Sequence, residues 1–266
     1  SSSSRGLGDV YKRQICDLHY SDGSPSALAP RQVLKNIIGL LDEEQLRAVV
    51  APELEFYLCE QNLDPDLPLK TPIGKSGRRE KGSRVFGIDA VNEFDDLTDD
   101  IYDYCEVLKI GVDTLIHESG PSQIEINLNH GDPLQLADQA FMFKRAVRQV
   151  ALKHGIHATF MSKPYQGHPG SSMHIHQNII SKKSNKNLFS DENGNNTEEF
   201  FHFIGGLQTY LPDAMLFFAP YVNSYRRFVI DASAPINTHW GFENRTVAFR
   251  VPTSKGDSRR IENRIP

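Results

Sequence analysis

Two histidines two residues apart, His174 and His176, lie in the stretch 160–178, where a Lys-Pro turn and a Gly/Pro/Ser loop lead into a strand-like run. Side chains alternate along a strand, which puts both imidazoles on one face and turns Ile175 the other way, into packing. Neutral imidazole binds borderline-soft metals and can also donate to phosphate oxygens. By itself the pair fits two surface histidines equally well. Its weight comes from carboxylates elsewhere in the chain.

Glu53 and Glu55 sit in APELEFYL, with Leu54, Phe56 and Leu58 on the opposite strand face. Same-face carboxylates there stand roughly 6–7 Å apart. Their repulsion is on the order of 2–3 kcal/mol at an effective dielectric near 20. In solvent this repulsion is screened, but the apolar flanks predict a half-buried strand, where paired acids need a cation or a proton. Glu118 and Glu125 bracket the turn in HESGPSQIEINL, close across a hairpin or simply two surface acids. Glu262 lies in RRIENRIP, sharing a face with Arg260 and Arg264 while Ile261 and Ile265 take the other. Together Glu53, Glu55, Glu118, Glu125, His174 and Glu262 make a ligand set for two or three Mg²⁺ or Mn²⁺ ions, which favour oxygen donors and share substrate phosphates. Arg227, Arg245, Arg250, Arg260 and Arg264 add the forked donors that phosphate and carboxylate require. Acids for metal and arginines for anions are the parts of a phosphoryl-transfer site. No phosphate-binding Gly-x-x-x-x-Gly-Lys loop or dinucleotide glycine pattern occurs, so a nucleotide must bind by other means.

Several elements must position these groups. Ile15–Tyr20 reads as a strand, and Pro30 opens a helix with Val33, Leu34, Ile37, Ile38 and Leu41 in helical spacing. Val49–Leu58 reads as a strand, and Gln61–Ser83, rich in Pro, Gly and charge, as a long functional or mobile loop. Asp89–Ile110 is expected as one acidic helix ending at Gly111, and Thr114–Asn129 as two short strands about the Gly-Pro turn. Asp132–His154 is the clearest helix, opened by Asp-Pro and closed by Gly155, and Thr197–Phe218 is another. An arginine-rich strand, turn and strand fill the last forty residues. A 266-residue chain that is 39% hydrophobic and 24% charged is ordinary for a globular protein. Its net charge of −5 gives no reason to expect nucleic acid or an anionic membrane as partner, and no apolar run reaches a bilayer span. Cys16, Cys59 and Cys105 are far apart, the pattern of reduced thiols in a cytoplasmic protein. Residues 1–14 carry a serine run without helical or strand period and read as a non-native or disordered segment.

Six motifs in one order, PELEFYL, HESGPSQIEINL, FMSKP with PGSSMHIHQ, NSYRRF, APINTHWGFENRTVAFRVP and RRIENRIP, make the chain resemble the type I glutamine synthetase-like ligases. The resemblance runs from about Ile15 to Pro266. It implies an α+β fold in which a curved antiparallel sheet carries outer helices. Residues 15–30 would be a remnant of an N-terminal β-grasp domain and 31–266 the catalytic domain, the whole truncated at both ends and inactive alone. It implies that Glu55, Glu118 and Glu125 hold one metal ion, and Glu53, His174 and Glu262 another. His176, Arg245 and Arg250 would serve ATP and the phosphoryl group in transfer. Gly170, Arg227 and Arg264 would hold glutamate. Metal-bound ATP would then phosphorylate the glutamate γ-carboxylate, and a neutral amine would attack the acyl phosphate, in the active site of a ring-shaped homo-oligomer.

Departures from the family pattern bear on the amine. Glutamine synthetases carry a glutamate just before the Ala-Pro that follows NSYRR, where it helps bind and deprotonate ammonium, and here that residue is Ser233. Losing this anion makes room for a bulkier amine, and the surrounding wording resembles the γ-glutamylpolyamine (glutamylputrescine) synthetase branch. Ser122 replaces a glycine of the turn, Pro169 a loop asparagine and Asn178 a serine that contacts the nucleotide. The alternatives are a glutamine synthetase using ammonium and a catalytically inactive structural relative. A glycosidase would leave the arginines and His174 without a role.

Overall fold

A fifteen-residue strand, β1 (Leu46–Glu60), organises the chain in the computed structural model, which describes residues 14–82, 84–230 and 232–266. Its first half pairs with β5 (Ile175–Ser181) and its middle with β3 (Gln123–Leu128). Its end pairs with β4 (Ile156–Thr159). Pro52 has no N–H to give a ladder and sits where β1 exchanges β5 for β3. With β2 (Val112–His117), β6 (Trp240–Phe242), β7 (Phe249–Val251) and β8 (Ile261–Asn263) the sheet has eight strands, in the order β2-β3-β1-β5-β8-β7-β6 with β4 beside β1. Every pairing is antiparallel except β6 with β7, so the expected all-antiparallel sheet is mixed at its far edge.

Helices cover two apolar cores. Leu54, Phe56 and Leu58 of β1 pack under α3 (Asp95–Val107) and α4 (Pro133–Lys153) through Ile101, Phe143 and Val147. The other core joins Phe249, Val251 and Ile261 to Phe200 and Ile204 of α5 (Glu198–Phe218). Sequence signals fix the ends of the two long helices. Asp132 caps α4 by accepting from Gln135 N at 2.9 Å ahead of Pro133, Gly155 follows it at φ +73°, and Thr197 caps α5. α1 (Pro30–Glu43) forms as its spacing predicts but buries none of its residues.

Three local expectations change. Ile15–Tyr20 forms no strand, and only an isolated bridge joins His19 to Pro25. A strand needs a neighbouring ladder, and none runs beside this segment among the described residues. The acidic helix is broken into α2 (Ile88–Asn92) and α3, because Glu93 is drawn into a turn. Its carbonyl accepts from Lys75 N and its side chain from Ser76 N, while Phe94 leaves helical geometry at φ −133°. Ile175 is half-buried rather than a core residue. Residues 1–13 of the segment read as non-native lie outside the described residues.

Candidate active site

Sheet order brings together residues that are far apart in the chain. Glu55 of β1 lies directly opposite Glu125 of β3, and His176 of β5 opposite Glu262 of β8, which in turn faces Arg250 of β7. Glu118 follows β2 and returns to β3 through its N–H to the Gln123 carbonyl. Glu53, two residues before Glu55, donates its N–H to the carbonyl of His174, 2.9 Å away. Strands β2, β3, β1, β5, β8 and β7 therefore each offer one or two charged groups to a single row. The predicted opposition of faces in β1 holds, since Leu54, Phe56 and Leu58 are fully buried behind the acids.

His174 is the hinge of the row. Its Nδ1 lies 3.3 Å from Glu53 Oε2, 3.6 Å from Glu262 Oε1 and 3.9 Å from Glu55 Oε1. On the other side of the ring, Ser172 Oγ donates to Glu55 Oε1 at 2.7 Å, so the same hydroxyl must accept from His174 Nε2, at 2.8 Å. That leaves Nδ1 facing three carboxylates, a point that requires a proton or a cation. His176 is held differently. Arg260 Nε donates to its Nδ1 at 3.1 Å, which puts the ring proton on Nε2, and Nε2 then donates to Glu53 Oε1 at 2.6 Å. By distance alone Glu53, His176 and Glu262 could surround one ion, their ligand atoms lying within 4.8 Å of one another. The hydrogen bonds favour His174 as the ring with a lone pair to offer.

Charge is unevenly balanced along the row. Burial and the neighbouring Glu53, Glu55 and Glu118 push the Glu125 carboxyl up to about 8. Burial, with Glu55 second, also raises Glu118. Burial acts to raise Glu53 too, but the His174 and His176 rings beside its two oxygens outweigh it and hold the group well below the ordinary range. Glu262 is likewise lowered against its burial by His174, Arg264 and His176. Its two oxygens meet Arg250 at 2.6 Å and Arg264. This donor set fits divalent cations: oxygens with one imidazole, and several buried acids without a compensating positive charge.

The other sequence candidates lie around this row. Arg227 is buried, and its guanidinium donates to the carbonyls of Ser171, Pro266, Ile265 and Arg264 while Nε has no partner. Burial lowers its pKa to about 10, with Glu55 opposing. Gly170 lies beneath it: a Cβ there would stand 2.5 Å from the Ser162 carbonyl and 2.6 Å from Arg227 Cγ. Arg264 Nε also donates to the Arg245 carbonyl, while the Arg245 side chain is exposed and acts on Glu118 only through its charge. A cavity of about 670 Å³ opens beside Glu53 and His176, lined also by Asn178, Asp257, Ser258 and Arg260. Asn178 donates to the Arg259 carbonyl at 3.3 Å, while its Oδ1 is buried without a partner. Ser233 is exposed in the loop before β6 and makes no hydrogen bond to these groups among the described residues. A second cavity, about 570 Å³ and lined by Ile179, Phe189, Leu207 and Phe249, is apolar and lies behind β5.

Three supporting residues escaped the sequence reading. Ser172 fixes both Glu55 and His174, and Gln123 joins Glu55 Oε2 at 3.2 Å to the Gly170 carbonyl at 2.9 Å. Tyr57 donates to the Pro169 carbonyl at 2.7 Å. Ser172 and Gln123 flank predicted ligands in the sequence, which was the available signal.

Comparison with known proteins places these observations in a family. Residues 27–266 match the model of the glutamine synthetase catalytic domain. The chain is 40% identical over 248 residues to the Escherichia coli gamma-glutamylputrescine synthetase PuuA, covering 92% of this chain and 52% of the relative. It is 36% identical to the Pyrococcus abyssi glutamine synthetase (93% and 53% covered) and 31% identical to a Pseudomonas glutamate–isopropylamine ligase (95% and 55% covered). The chain thus spans about half the length of the curated relatives it matches. A solved GmaS/ADP complex superimposes with a TM-score of 0.78 at 28% identity, over 94% of this chain and 56% of that one.

Proposed function

Because the chain belongs to the glutamine synthetase catalytic-domain family, we propose that it forms the metal- and phosphate-handling part of an ATP-dependent ligase joining glutamate to an amine through a γ-glutamyl phosphate. The observation that carries this reading is the convergence of Glu53, Glu55, Glu118, Glu125, His174 and Glu262, from five strands and their ends, on one row in which four are buried and Glu53 and Glu118 half-buried. Mg²⁺ or Mn²⁺ held by Glu55, Glu118 and Glu125 and by Glu53, His174 and Glu262 would neutralise phosphate oxygens and the developing charge of transfer.

The chain's own residues supply the rest. Arg260 orients His176 and shares the cavity beside Glu53 with it, so its guanidinium can donate to the phosphates of ATP, as can the His176 Nε2–H once it leaves Glu53. Asn178, with its unpartnered oxygen, lies in the same cavity, on the nucleotide side. Arg250 is engaged by Glu262 and Glu243 and stands where it can turn toward a transferring phosphoryl group. Arg245, exposed beside Glu118, is free to do the same. Arg227 is a buried guanidinium with no carboxylate partner among the described residues, which suits a substrate carboxylate at the Gly170 loop, with Arg264 next to it. Water exclusion by this buried pocket would protect the acyl phosphate from hydrolysis.

The amine is the finer point. The PuuA relative and the neutral Ser233 favour a polyamine such as putrescine over ammonium. Assembly as a ring and a cytoplasmic location belong to the same proposal. The test is ADP release by the complete gene product with Mg²⁺-ATP and glutamate, across ammonium, putrescine, longer polyamines and ethanolamine. Putrescine-dependent release supports the proposal. Release with ammonium alone assigns a glutamine synthetase, and no release with any amine overturns the ligase reading.

A further inference from the structure

The loop after β1 sends one acid beneath the metal row without joining it. Thr71 Oγ1 donates to the Glu80 carbonyl at 3.2 Å, and the preceding Arg79 binds Glu60 and the Thr71 carbonyl, so the loop approaches from the end of β1 in a fixed direction. Glu80 Oε2 then accepts twice, from Ser122 N at 2.6 Å and from His117 Nε2 at 3.0 Å. Its Oε1 is buried with no partner. His117, also buried, uses Nδ1 to donate to the Glu118 carbonyl at 2.8 Å.

His117 is the last residue of β2 and Ser122 the residue before β3. One carboxylate oxygen therefore ties both arms of the turn that sets Glu118 and Glu125. Ser122 also sits at φ +58°, where the family pattern has glycine, and its buried N–H would be orphaned without Glu80. We propose that Glu80 is a positioning residue for the metal row, clamping the β2–β3 turn so that Glu118, Glu125 and the adjoining Gln123 keep their geometry. This rests on the reading of the row as a metal site. It also gives the long loop after β1 a defined task, holding the turn that carries Glu118 and Glu125. Glu80 takes no part in the hydrogen bonds and ion pairs that join the members of the row; its bonded oxygen is spent on His117 and Ser122.

The test uses the complete gene product with Mn²⁺ alone as the probe, free and bound ion being counted by electron paramagnetic resonance. Glu80→Ala is expected to weaken Mn²⁺ binding about tenfold or more, as loss of an outer hydrogen-bond partner does elsewhere. Glu80→Gln, which keeps an acceptor for Ser122 N, should lose only about threefold on the same scale. Should Glu80→Ala fail to fold, Glu80→Gln decides alone: wild-type affinity in it overturns the clamp. Amide exchange at Ser122 and Glu125 is read in parallel on metal-free protein and should accelerate in both variants. Unchanged exchange rejects the clamp, whether or not the wild type binds Mn²⁺. Absence of Mn²⁺ binding by the wild type would reject the metal reading instead.

Discussion

Glu125 and Glu262 stand at opposite ends of the same row, and both are buried, at 7% and 1% exposure. Their charge states diverge. Glu125, buried, faces Glu55 across the β1–β3 ladder and is driven up to about 8, whereas Glu262 is driven down by His174, Arg264 and His176. Burial acts on both in the same direction, so the register of neighbouring strands makes the difference. One end of the row carries its own cations, and the other has none paired with its acids among the described residues.

Replacing Glu262 should give the largest effect, because it strands the buried Arg264 guanidinium and takes from Arg250 one of its two carboxylate partners. Glu262→Gln is expected to cost about 3–5 kcal/mol, measured by urea unfolding of the metal-free protein. Glu125→Gln should act in the opposite direction, stabilising the same protein by about 3 kcal/mol at pH 7. If both substitutions destabilise equally, the contrast between the two ends is wrong. The pH dependence sharpens it. A carboxyl raised in the folded state favours folding fully below its unfolded value near 4.5, and that contribution is lost as pH rises through about 8. Thermal melts of metal-free protein should accordingly fall between these limits. Glu125→Gln should flatten that fall, as should saturating Mg²⁺.

Two smaller substitutions test the supports of each end. Gly170→Ala pushes a methyl group against the Ser162 carbonyl and the Arg227 stem, and should lose about 2 kcal/mol in a denaturant titration. Ser122→Gly at the acid-rich end removes a left-handed strain and a buried hydroxyl without a partner, yet keeps the N–H bonded to Glu80. A gain of about 1 kcal/mol in melting analysis is expected, and a loss would show that the hydroxyl has a use.

The sequence by itself determined much of this protein. Period-two apolar residues behind Glu53 and Glu55, Asp-Pro before α4 and Gly155 after it, and the spacing of His174 and His176 are local signals, and each produced the expected strand or helix. The residues that meet in the charged row were legible too, because their types and flanking residues mark them. Which acid would be charged was not legible, since it depends on Glu55 meeting Glu125 and Glu262 meeting His174 and His176, neighbours set by strand order. The broken acidic helix, the unpaired Ile15–Tyr20 segment and the grip of Glu80 on His117 and Ser122 likewise depend on long-range partners. Local propensity specifies an element. Only tertiary contact specifies what stands within hydrogen-bonding reach of it, and electrostatic energy falls off over that distance.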